Sequence, residues 1–124
     1  MRWLEAFLFT QAVEIPIWVV ALLRAVRRDA GPGVADRPTV LHAILIAFGA
    51  SAITHPIVWF GFKLLTPFIG YWPMVACAET FAVVAEALYM RGEGVRRAYL
   101  WSVAANGASF GLGVLILWKI WAAR

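Results

Sequence analysis

Glu14, His55 and Glu79 stand in three separate stretches that are otherwise apolar, and each has polar companions on its own stretch. Gln11 precedes Glu14 by three residues, Ser51 and Thr54 precede His55, and Glu86 follows Glu79 by seven. A fourth stretch carries Ser102, Asn106 and Ser109, spaced i, i+4, i+7. On a helix each of these sets falls on one stripe. An ionisable group at the centre of a membrane span costs at least about 2.5–3.5 kcal/mol, so the stripes are expected to face one another. Carboxyl and imidazole groups drawn out of water can exchange protons near neutral pH. Two carboxylates and an imidazole also suit a divalent metal such as Zn²⁺, Mn²⁺ or Fe²⁺.

Four apolar runs position these residues, at about 6–23, 39–62, 73–90 and 98–118. Each has roughly the ~20 residues needed to cross ~30 Å of hydrocarbon at 1.5 Å per residue. With 63% hydrophobic and 15% charged residues, the chain lies outside the range of soluble domains. Short connectors make sequential helices antiparallel neighbours. The expected fold is therefore all-α, an antiparallel four-helix transmembrane bundle forming one integral membrane domain over residues 1–124. Thr39 is the expected N-cap of the second span, and residues 63–72, with Pro67 and Gly70, an aromatic turn before the third.

Counted from the side of the termini, Glu14, His55 and Glu79 each lie seven or eight residues into their helices, roughly 10–12 Å deep. They are expected to converge there within hydrogen-bonding or one-water distance. Asn106 or Ser109 closes the cluster from the fourth span, and Glu86 lies below it, toward the basic side and Arg91 or Arg97. Pro16 and Pro56 leave the carbonyls of Ala12 and Ala52 without their helical donors, adding acceptors and a kink. Ser51 and Ser102 are expected to bond back to their own helices. Gly107 and Gly111 form a G-x-x-x-G face suited to close helix contact.

The formal charge of +4 does not indicate nucleic-acid binding, because the basic residues sit in connectors that would face lipid headgroups. Seven Lys and Arg fall in the connectors after spans one and three, against four on the opposite side. That asymmetry puts the basic connectors in the cytoplasm and both termini outside it. Glu5 cancels Arg2, Glu14 and Pro16 interrupt the first run, and another apolar span follows it, so the N-terminus does not read as a secretory signal. Cys77 is the single cysteine, so no disulfide forms within the chain.

The E-x-P of span one, T-H-P of span two, E-x6-E of span three and N-x2-S of span four resemble uncharacterised small bacterial four-span integral membrane proteins. The resemblance implies the architecture and a bacterial inner-membrane setting, and no activity. There is no H-E-x-x-H, nucleophile elbow or Gly-rich phosphate loop. The leading expectation is a small channel, carrier or carrier subunit moving protons or a divalent cation past Glu14, His55 and Glu79. Gln11, Thr54, Glu86, Asn106 and Ser109 would support them. A four-helix monomer is too narrow for a wide pore, so a channel implies a homo-oligomer. The alternative is a non-catalytic assembly or accessory subunit of a larger membrane protein, its polar network specifying packing. A third is an intramembrane enzyme acting on lipid, with Glu14 or Glu79 as base. It ranks last because the layer holds no Lys or Arg for a phosphate.

Overall fold

The first described helix, α1 (Trp3–Asp29), runs unbroken through Pro16, whose missing N–H removes one helical bond without ending the element. The computed structural model describes residues 3–29 and 39–122. The connector with Gly31-Pro32-Gly33, and Arg2 and Arg124 of the charge count, lie outside the described residues. Helix α2 (Val40–Pro56) starts at Thr39, whose side chain accepts from the His42 N–H at 3.3 Å.

Pro56 ends α2, and the chain loosens into a π-helical turn at Ile57–Gly61 before tightening into a 3₁₀ turn at Phe62–Leu65. The short α3 (Thr66–Ile69) follows. Much of the segment read as a turn is thus helical, because no residue before Gly70 forces the backbone out of the helical region. The break comes at Gly70, whose φ of 83° suits a residue without a Cβ. Then come α4 (Tyr71–Gly92) and α5 (Ala98–Ala122), with a tight turn between them through Gly94 and Arg97.

Among the described residues there is no strand, and four helical segments are long and apolar enough to cross a membrane: Trp3–Arg27, Val40–Ile69, Tyr71–Gly92 and Ala98–Ile116. Helix α1 packs on α2 and α5, and α4 packs on the same two. Small residues let them approach. Ala43, Ala47 and Ala50 of α2 are buried, as are Ala21 and Ala25 of α1, around the fully enclosed Trp18 and Met90. A Cβ at Gly49 would come within 2.9 Å of the Tyr89 hydroxyl, which marks a close crossing of α2 and α4. The apolar core runs through the second half of α1, the first half of α2, the end of α4 and the first half of α5. Gly107 and Gly111 have open space where a Cβ would stand, so the G-x-x-x-G face makes no close contact among the described residues.

Candidate functional site

The polar stripes meet where this core ends. Glu14 and Glu86 are 1% and 2% exposed, and each is held between α2 and α5. Ser51 of α2 donates to Glu14 Oε2 at 2.5 Å, and Ser109 of α5 donates to Glu14 Oε1 at 2.7 Å. Thr54 of α2 donates to Glu86 Oε1 at 2.9 Å, while the Asn106 amide of α5 donates to Glu86 Oε2 at 2.8 Å. Every carboxylate oxygen of the pair thus has a donor. The partners are hydroxyls and an amide, with no basic side chain among them.

The four donors are interleaved. Ser51 and Thr54 are three residues apart on α2, as are Asn106 and Ser109 on α5, so each pair occupies less than one turn. Both carboxylates therefore belong to a single layer. This departs from the expectation that Glu86 lies well below Glu14. Glu14 is the twelfth residue of α1 and Glu86 the sixteenth of α4. Counting depth from helix ends treats the helices as level, and the bonds show an offset of about 6 Å between them.

Glu79, seven residues before Glu86 on α4, is half-buried and within electrostatic reach of both Glu14 and Glu86, but no hydrogen bond joins it to them. His55 goes elsewhere. Its ring sits among Phe7, Trp59 and Trp3, with centroids 5.3, 6.2 and 6.3 Å away, and its Nε2 is buried without a partner. The expected meeting of Glu14, His55 and Glu79 is not what the geometry shows. Thr54 immediately before His55 takes the inward face, and a helix turns about 100° per residue, which carries His55 to the aromatic side. Among the described residues no group of three or more His, Cys, Asp or Glu is arranged to hold a metal ion.

Gln11 is 5% exposed, and both ends of its amide lack a protein partner. It lies one turn before Glu14 on the same stripe. Trp18, one turn after Glu14, is fully buried with its indole N–H beside Glu86 but outside hydrogen-bond geometry. Two residues were underrated by the sequence reading. Ser51 was expected to bond its own helix and instead holds Glu14. Ser102 was expected to do the same and instead donates to the Val83 carbonyl of α4 at 2.8 Å. The signal for Ser51 was its place on one stripe with Thr54. Nothing in the sequence marks Val83 as an acceptor.

No family model matches this chain, and neither does any curated protein or solved structure. The site stands on its own geometry.

Hydroxyl chemistry adds one more property. A hydroxyl carries a single hydrogen and two lone pairs. Thr54 Oγ1 has the Ala50 carbonyl at 3.3 Å as well as Glu86, and Ser109 Oγ has the Asn106 carbonyl at 3.1 Å as well as Glu14. Each carboxylate therefore has one hydroxyl neighbour with a second acceptor in its own helix. When the carboxylate is charged, the hydroxyl donates to it. When the carboxyl carries a proton, that proton is donated to the hydroxyl oxygen, and the hydroxyl turns to the backbone carbonyl. Both states keep their hydrogen bonds, which matters because a lone buried donor or acceptor costs about 1–3 kcal/mol.

Proposed function

We propose that the four apolar helices cross a membrane as an antiparallel bundle and that the protein is a small proton carrier, or a proton-conducting subunit, with Glu14 and Glu86 as the exchanging groups. The observation that carries this is the pair of hydroxyls, Thr54 and Ser109, each able to serve a charged or a protonated carboxyl without leaving a group unpaired. A carboxylate with no counterion in a core of low dielectric must take up a proton or a cation. Back-bonding to the helix's own carbonyls is common for Ser and Thr; here it coincides with buried carboxylates that have no basic partner, and the two together support the reading.

Glu79 and Gln11 extend the polar stripe from this layer toward one end of the bundle, and Glu79 is the half-exposed step between the layer and that end. On the opposite side Trp18 and Met90 close the path. The basic connectors, by their charge, belong in the cytoplasm of a bacterial inner membrane with both termini outside. On this reading the resting conformation takes protons from the outer side. A divalent cation has less support as cargo, because His55 does not supply the third ligand.

Proton flux into liposomes containing the purified protein tests the proposal. A pH-sensitive dye trapped inside should report uptake well above that of empty liposomes, and Glu14→Gln with Glu86→Gln should lower it at least tenfold. Flux equal to that of empty liposomes, or unchanged in the double variant, overturns the reading. A stoichiometric larger membrane protein that co-purifies with an inactive chain would favour the accessory-subunit alternative.

A further inference from the structure

The turn joining α4 to α5 concentrates charge that the polar layer does not use. Arg91 lies in the last turn of α4, Arg96 and Arg97 precede α5, and all three line a cavity of about 790 Å³. Its other wall is apolar, formed by the exposed Val84 and Leu88 of α4 with the buried Ala87 between them. A smaller cavity of about 270 Å³ lies on the far side of the turn, where Arg24 joins Arg96 and Arg97. Arg24 is itself held there, its guanidinium 5.5 Å from the centre of the Trp101 ring. Glu93, the acidic residue of the turn, lines neither cavity. Among the described residues none of the four guanidinium groups has a carboxylate partner.

Guanidinium groups recognise phosphate oxygens through paired N–H donors. The larger cavity thus joins two surfaces of unlike character. Three arginines line one end, and an apolar face of about two turns leads away from them along α4. A free phosphate would use only the rim. A molecule with a phosphate at one end and a hydrocarbon chain at the other would use both. We propose that this cavity binds one anionic phospholipid, its headgroup phosphate among Arg91, Arg96 and Arg97 and an acyl chain along Val84 and Leu88. Arg24 supports the headgroup from the adjoining cavity. The site is independent of the proton-exchange reading, since it shares no residue with the Glu14–Glu86 layer.

Arg97 offers a clean probe. Its φ of 57° is in the left-handed region, where a side chain is strained and glycine is not. Arg97→Gly therefore removes the charge without harming the turn. The full chain, purified in detergent and freed of lipid, is mixed with phosphatidylglycerol, phosphatidylcholine or inorganic phosphate, and bound molecules are counted by native mass spectrometry. One phosphatidylglycerol should be retained in preference to phosphatidylcholine. Arg97→Gly should lower that preference about fivefold, the effect of one basic residue at an anionic surface, with no fall in melting temperature. Adding Arg91→Gln and Arg96→Gln should abolish it. Equal retention of the two lipids, an unchanged preference in the triple variant, or displacement of phosphatidylglycerol by an equal concentration of inorganic phosphate would each overturn the proposal.

Discussion

The two ends of this helical group are built differently, although the same four long helices make both. At the end nearest the α4–α5 turn, buried alanines from α1, α2 and α5 surround Trp18 and Met90. At the other end burial thins out. No residue of α5 described beyond Ser109 is buried, and aromatic rings of Trp3, Phe7, Phe48, Trp59 and Phe60 cluster around His55 instead. A cavity of about 430 Å³ opens there between Phe9, Trp72 and Phe110 and reaches Ser109. The Glu14–Glu86 layer lies on the border. Small residues bring backbones together and seal a path, whereas aromatic residues fill space while holding backbones apart. One end is closely packed and the other is looser, and the small residues lining the helix contacts of the first account for much of the difference.

Trp18→Ala should damage this contrast most. Emptying a fully enclosed Trp site costs about 3–5 kcal/mol, measured by unfolding in detergent. Trp72→Ala at the open end, where the residue is 70% exposed, should change stability by about 0.5 kcal/mol or less. Similar losses for the two would dissolve the distinction between the ends.

Overfilling gives a smaller signal of the same kind. Ala47 is fully buried, so Ala47→Leu should cost about 1–3 kcal/mol by forcing α2 away from its neighbours. At the open end, a Cβ at Gly113 would meet only Phe9 Cε1 at 3.7 Å, an ordinary contact. Gly113→Ala should be neutral or slightly stabilising, and a loss above 1 kcal/mol would show that this end is packed as tightly as the other.

The border layer gives the finest comparison. Asn106→Leu strips Glu86 Oε2 of its amide donor and should cost about 1–3 kcal/mol. Gln11 is just as buried but has no partner to lose, so Gln11→Leu should leave stability equal or higher. If both substitutions were equally costly, Gln11 would be bonded in a way the heavy-atom positions do not show.

Composition and the lengths of the apolar runs made the helical class and the four long helices legible, because a helix of that length needs no long-range information. The inward stripes of α2 and α5 were legible for the same reason. Ser51 with Thr54, and Asn106 with Ser109, obey helical spacing wherever the helix ends. What failed was level. Placing Glu14 beside Glu86 rather than Glu79 required knowing how far each helix starts from a common plane, and that offset is set by how the helices pack. His55 failed for a related reason. Thr54 and His55 are adjacent, so one of them must leave the inward face, and only the neighbouring helices decide which.

The hydroxyls of Thr54 and Ser109 carry one more consequence. Their hydrogens turn about a single Cβ–O bond, a motion of picoseconds to nanoseconds, and no heavy atom need shift when they do. The gain or loss of a proton at Glu14 or Glu86 would leave the helices in place and be invisible in a map of heavy atoms. It would be plain in the infrared, where a protonated carboxyl and a carboxylate absorb at different frequencies. In this layer a change of charge would need no change of shape.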